Sequence, residues 1–278
     1  MRVSLKHISS GGVMIIAAVR EFLKDPRVKG IDIDSPEILD AHRKVIADKP
    51  LMKKVFERFY DELITGRDNY FSGNGAEIEI GAGVSFFKEK NNAVVTTDIK
   101  ATPGLDGVLN AQNMNLASDS VKVIYGINCF HHFPSPRMFF SELDRVLNAG
   151  GGCMLIEPYH GPFAKQLYAN VHKDEHFNPD QESWEHQSKM SFMSGANQAL
   201  AYIIFVRDKE VFEKEFPGLE IVSTSRINNY LQYLLSGGVN FRQLVPNFMI
   251  PLVQMCEYLL TPISHLLALH YMIVIRKK

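Results

Sequence analysis

Cysteine is scarce in this 278-residue chain: Cys129, Cys153 and Cys256 are scattered and odd in number. That excludes a disulfide framework and a cysteine-built zinc site, and it suits a reducing compartment, so a cytoplasmic location is expected. A dominant charge is also lacking. Against 31 Asp and Glu stand 30 Lys and Arg, a formal net charge of -1, with no basic stripe, so no nucleic-acid partner is expected. Long apolar runs are missing as well. Leu244 to Leu267 comes nearest, but Pro246, Pro251, Glu257 and Pro262 interrupt it before it could cross a bilayer. Val13 to Val19 is too short for a secretion signal and runs into Arg20 and Glu21. What the chain does have is apolar content, 46%, enough for a large core in one domain or two.

The most informative stretch is Ala76 to Ile99. A short apolar run leads into Glu79-Ile80-Gly81-Ala82-Gly83, and a second one ends in Thr97-Asp98-Ile99. A strand that enters a glycine turn and then a helix lets backbone approach a ligand without a side chain in the way. An acidic residue closing the next strand is placed to accept hydrogen bonds from both ribose hydroxyls. A dinucleotide fingerprint would continue with glycine or alanine at position 86. Phe86 stands there, so a nucleoside without a diphosphate is the expected ligand.

Further along come Val108-Leu109-Asn110-Ala111-Gln112, an apolar strand over Ser120 to Asn128, and Cys129-Phe130-His131-His132-Phe133-Pro134. A helical pattern over Phe139 to Leu147 follows, then Gly150-Gly151-Gly152 opening a strand that ends in Glu157-Pro158-Tyr159. Residues 76 to 160 together resemble the class I S-adenosylmethionine-dependent methyltransferases of the small-molecule type. The resemblance implies an α/β fold, a Rossmann-like doubly wound sheet, mostly parallel with an antiparallel closing strand. It implies S-adenosylmethionine as cofactor, with Glu79, Gly81 and Gly83 framing its methionine portion and Asp98 with the adjoining Ile99 at the ribose. Asn110, Ala111 and Gln112 would border the adenine, and Asn128 would face the sulfonium. Two positions depart from the family: Asn110 stands where an aspartate is usual, and Lys122 where an aspartate is common early in the fourth strand. An amide oxygen still accepts from the adenine amino group.

His131, His132 and Tyr159 are the candidates for the transfer step. The two imidazoles would act as a general base or simply fix their loop. No metal is expected at them, because no carboxylate or cysteine lies nearby at ligand spacing. Glu142 and Arg145 read as a surface ion pair, and Gly150 to Gly152 as the end of one helix and the start of a strand.

The remaining chain is expected to elaborate this domain. Residues 1–75 read as a helical extension, with helices over Gly12 to Leu23 and Glu37 to Ile64, the latter carrying Leu51, Val55, Phe59 and Leu63 on one face. Lys49, Lys53, Lys54 and Arg58 would be its solvated side. Residues 76–278 read as the methyltransferase domain with inserts at about 160–205 and 230–267. His160, His172 and Trp184 in the first insert are the candidate acceptor residues, with Trp184 either stacking on a sugar ring or filling a gap in the core. Leu219 to Ser223 and Leu269 to Ile275 would be closing strands. The apolar 244–267 segment reads first as a buried lid, with a dimer surface or a peripheral contact with the inner face of the membrane left open.

By overall likeness to methyltransferases of polysaccharide biosynthesis, the acceptor would be a small molecule, glycan or lipid-linked sugar bearing a hydroxyl. A nicotinamide-dependent oxidoreductase and a catalytically silent binding protein on the same fold are the alternatives.

Overall fold

A computed structural model describes residues 20–35, 37–170, 175–185 and 196–278. Two helices come first, α1 (Glu37–Asp48) and α2 (Pro50–Tyr70), followed by strands β1 (Ala76–Ile80), β2 (Val94–Asp98), β3 (Gly107–Val108) and β4 (Val121–Ile127). After these come α3 (Pro136–Val146), β5 (Leu147–Pro158), α4 (Pro162–Asn170), α5 (Lys209–Glu215), β6 (Leu219–Ile227), α6 (Tyr230–Ser236), α7 (Ile250–Leu259) and β7 (His270–Lys277).

The strands form one sheet in the order β3-β2-β1-β4-β5-β7-β6. All pairings are parallel except those of β7, which runs antiparallel to β5 and β6. The doubly wound architecture is therefore as the motifs imply. The chain winds outward in opposite directions from β1 and β4, which makes their carboxyl ends the switch point where such sheets hold ligands.

Strand alternation sorts the core into two layers. Ile124, Cys153, Leu155, Ile273 and Ile275 face a layer with Phe139, Phe140 and Leu143 of α3. Val123, Tyr125, Met154, Ile156 and Val274 face the other, filled by α2 through Val55, Phe59 and Leu63. Leu51, Val55, Phe59 and Leu63 are all fully buried.

Several local expectations need correction. The single helix read over Glu37 to Ile64 is two, broken at Lys49, because Pro50 has no N–H to continue the first and serves as the first residue of the second. Lys49 is buried rather than solvated. Its ammonium donates to the carbonyls of Gly238 and Phe241 and pairs with the buried Asp25 at 3.5 Å, tying the start of α2 to the second insert. Lys53, Lys54 and Arg58 do lie at the surface, each paired with a glutamate. Gly150 to Gly152 fall inside β5, since α3 already ends at Val146. Arg145 does more than pair with Glu142: it donates to the carbonyls of Met114 and Leu116 while Glu142 accepts from Met114 N–H, which clamps the loop before β4. Most of the Gly12 to Leu23 helix lies outside the described residues.

The 244–267 segment is not a buried lid. α7 buries Val253 and Glu257, and Glu257 accepts hydrogen bonds from Leu231 N–H and the Gln232 amide of α6. Its outer side leaves Met255, Tyr258 and Leu259 exposed, and Phe248, in the turn just before it, is 82% exposed. Among the described residues no helix is long and apolar enough to cross a membrane.

Candidate functional site

The glycine turn leaves β1 at the switch point with Gly81 and Gly83 both left-handed, φ +58° and +52°. A Cβ on Gly81 would stand 2.5 Å from the Cβ of Cys129, so the turn lies directly against the loop leaving β4. Asp98 closes β2, and its carboxylate accepts from Gly83 N–H at 2.9 Å, drawing the end of β2 onto the turn. Ile99 beside it is exposed. The turn does not run into a full helix. Only a three-residue 3₁₀ turn, Phe87–Glu89, follows, because Phe86 and Phe87 are pinned under α2 by contacts with Phe56 and Tyr60. The expected helix after the glycine turn is thus replaced by a single 3₁₀ turn.

Glu79 is the acidic group beneath the turn. Tyr60 of α2 donates to Ser85 Oγ, which donates to Glu79 Oε2 at 2.6 Å, so the extension reaches the site through a hydroxyl relay. Burial, opposed by the Ser85 hydrogen bond and reinforced by the Asp98 charge, pushes the Glu79 carboxyl up to about 8.

Asn110 to Gln112 follow β3, next to Asp98, whose carbonyl accepts from Leu109 N–H. Ala111 is buried, and Asn110 is exposed with its Oδ1 accepting from Gln112 N–H. The Gln112 side chain turns away to accept from Ser135 N–H at 2.7 Å. What this segment offers an adenine edge is therefore its backbone and Asn110, and the Gln112 side chain is a correction to the expected set.

Asn128 ends β4 in a left-handed conformation, φ +49°. Its Oδ1 is buried and has no partner among the described residues. A buried acceptor without a donor is costly to keep, and a cationic ligand at the switch point would satisfy it. Together with a turn that has no room for a side chain at Gly81, this makes the crevice fit a nucleoside carrying a sulfonium and an amino group.

The histidine pair sits in the loop after β4. Glu157, at the end of β5 and wholly buried, accepts from Cys129 N–H and Phe130 N–H through Oε1 and from His131 Nδ1 through Oε2 at 2.5 Å. Burial alone favours a neutral His131, but the charge and hydrogen bond of Glu157, with Glu175 beyond, outweigh it and push the imidazole up to about 10. The expectation that no carboxylate stands near the pair is wrong. Glu175 Oε2 lies 3.2 Å from His131 Nε2, and its Oε1 lies 4.0 Å from His132 Nε2. Sequence distance hid this contact. The first insert folds back because Asn197 N–H donates to the His131 carbonyl, while the Asn197 side chain binds the backbone of Asn178.

The other candidates are placed less centrally. Tyr159 packs over Gly161 and against the Tyr271 ring at 5.7 Å, on the β7 side. His160 stacks on Tyr202 at 3.7 Å, and burial, with the Lys165 charge, lowers it to about 4, so it stays neutral. Trp184 is not available to an acceptor: it is 2% exposed, donates to Asp208, and lies beneath the Arg137 guanidinium against Phe140. His172 lies outside the described residues.

The sheet order and the crevice over Gly81 and Asp98 define an open α/β domain with its switch point between β1 and β4. The family model described as methyltransferase domain matches residues 81–155, and the sheet matches the Rossmann-like methyltransferase fold. No curated protein matches the chain. Among solved structures, geranyl diphosphate C-methyltransferase from Streptomyces coelicolor A3(2) is similar at 13% identity, over 86% of this chain and 83% of that one, with a TM-score of 0.46. Phosphoethanolamine N-methyltransferase 2 from Haemonchus contortus is similar at 9% identity, over 78% and 52%, with a TM-score of 0.41. Likeness at this level says nothing about the acceptor.

Proposed function

We propose that this chain moves a methyl group from S-adenosylmethionine to a hydroxyl oxygen of a small molecule, a glycan or a lipid-linked sugar, the sulfonium leaving as S-adenosylhomocysteine and the hydroxyl proton passing to water. The observation that carries the cofactor part is the crevice itself: a turn with no room for a side chain, Asp98 tied to it, and the unpartnered Asn128 Oδ1. S-adenosylmethionine, when bound, supplies an electrophilic methyl group. The chain's own residues align and shield: Asp98 and Ile99 at the ribose, the 110–112 backbone at the adenine, Glu79, Gly81 and Gly83 at the methionine portion, Asn128 beside the sulfonium. Alignment is the main demand of an in-line displacement. On this reading residues 1–75 form the extension over the crevice, and the inserts at 160–205 and 230–267 shape the acceptor side, with His160 in its wall.

The exposed face of α7 favours a lipid-linked acceptor. Between Arg242 and Arg276 there is no Lys or Arg and only the buried Glu257 is acidic, so this apolar face suits insertion at a lipid boundary. The test is transfer of labelled methyl from S-adenosylmethionine to a panel of free sugars, nucleotide sugars, lipid-linked sugars and quinones. Label is expected on lipid-linked sugar. Label on quinone alone would overturn the acceptor.

Glu79 gives a separate check on the cofactor. Its folded value lies above the ordinary 4.5, so near neutral pH most of it is protonated, and a bound ammonium or sulfonium draws it to the carboxylate. Binding of S-adenosylmethionine is therefore expected to release up to about one proton near pH 7, read by calorimetry in buffers of different ionisation enthalpy. Affinity should rise with pH until about 8. By the same linkage, the ligand-free protein loses stability as pH rises from about 4.5 through about 8. Glu79→Gln should abolish the buffer dependence; a wild-type protein without it would remove Glu79 from the site.

A further inference from the structure

The histidine loop and the first insert together make an arrangement that the methyl-transfer chemistry above does not require. One ring nitrogen each of His131 and His132 and one Glu175 oxygen lie within 4.8 Å of one another. His131 is 3% exposed, and His132 and Glu175 are 15% and 12% exposed, so the cluster is enclosed on the His131 side and accessible on the other. Glu157 is what makes this more than a chance grouping. Its Oε1 is filled by two backbone N–H groups, so its Oε2 accepts from His131 Nδ1 and turns Nε2 toward Glu175, where a bound metal would displace the Nε2 proton. A buried carboxylate holding one ring nitrogen so that the other can ligate is the usual support of a metal-bound histidine.

We propose that His131, His132 and Glu175 form a site for a divalent transition metal of the zinc class, with Glu157 as its positioning residue. Two imidazole nitrogens and one carboxylate oxygen are the donors such ions take, and three protein ligands leave a coordination position open. Bonds of about 2.0–2.1 Å in a tetrahedron need ligand atoms roughly 3.3–3.5 Å apart. His131 Nε2 is 3.2 Å from one Glu175 oxygen and His132 Nε2 4.0 Å from the other, so a rotation of the carboxylate and a side-chain adjustment of His132 bring both imidazoles onto one metal with a single Glu175 oxygen. The insert carrying Glu175 is fixed to the histidine loop through Asn197, so the third ligand is brought in by the fold. The open position lies at the carboxyl ends of β4 and β5, beside the glycine turn, where it would hold an oxygen of the acceptor; that role rests on the methyltransferase reading, whereas the binding of metal does not.

The test uses the full chain, stripped with chelator and titrated with Co2+ and then Zn2+. One equivalent of Co2+ should bind and give the visible absorption of a nitrogen-ligated, low-coordinate ion, and Zn2+ should displace it. His132→Ala and Glu175→Gln should each weaken binding at least about tenfold, and Glu175→Asp should retain part of it. The stripped variants should melt with the stripped wild type, which separates lost ligation from lost folding. Absence of stoichiometric Co2+ binding, or equal affinity in wild type and both variants, overturns the site. S-adenosylhomocysteine is titrated into the same samples. Metal binding without S-adenosylhomocysteine binding upholds the site and removes the methyltransferase reading; the reverse removes the site alone.

Discussion

Gly81→Ala is expected to weaken binding of S-adenosylhomocysteine by about a hundredfold or more, read by calorimetry. Two costs add. A residue with a Cβ at φ +58° pays about 1–2 kcal/mol for the left-handed conformation. The new methyl would also stand 2.5 Å from the Cys129 Cβ, and Cys129 cannot retreat, since its N–H is held by Glu157 and its side chain is buried. The turn must therefore move, taking the Gly83 N–H to Asp98 contact with it. Gly83→Ala is the internal control. Its φ is nearly the same, but the nearest atom to a new Cβ is Leu39 Cδ2 at 3.8 Å, so only the conformational cost applies, about five- to thirtyfold. Equal losses at the two glycines would show that the contact with Cys129 has no part in shaping the crevice.

The second large effect belongs to stability. Glu157→Gln is expected to destabilise the fold by about 3–5 kcal/mol, measured by urea unfolding as a fall in midpoint with an unchanged slope. The side chain is fully buried and accepts three hydrogen bonds. An amide keeps the shape but has one acceptor oxygen and two N–H groups. Whichever way it turns, it sets a donor against either the Cys129 and Phe130 N–H groups or His131, and a buried donor is left unmade. Removing the charge also withdraws what holds the buried His131 in its protonated form. A loss below about 1 kcal/mol would mean that the loop after β4 is held by packing of Phe130 alone.

Much of this architecture was legible because its signals are local. Apolar runs ending in glycine, asparagine or acid marked β1, β2, β4 and β5, and the four-residue spacing from Leu51 to Leu63 marked the core face of α2. What escaped reading depends on contacts between distant segments. Lys49 looks like any surface lysine until Gly238 and Phe241 supply carbonyls for it. Gln112 looked like an adenine reader, but Ser135, 23 residues on, takes its oxygen. Glu175 carries no motif at all, and the contacts of Asn197 and Gln198 with the segment around it bring it to His131, 44 residues earlier. Trp184 was ambiguous in sequence because the partners that occupy it, Arg137 and Asp208, lie on other elements. Glu157 left one usable trace: a carboxylate at the end of an otherwise apolar strand must find donors nearby.

The place of β7 in the sheet has a consequence for the order of events during synthesis. β6 touches the sheet only through β7, and β7 is made after β6 and after the whole second insert. A nascent chain that has emerged as far as Leu267 can assemble β3, β2, β1, β4 and β5, but β6 has nothing to pair with and β5 offers an open edge lined with Cys153 to Ile156. Loop closure over more than forty residues must precede the reward of that pairing. Arrival of His270 to Lys277 then joins both edges in one step, so this strand, remote from the cofactor crevice in sequence, sets when the domain stops being vulnerable to edge-to-edge association.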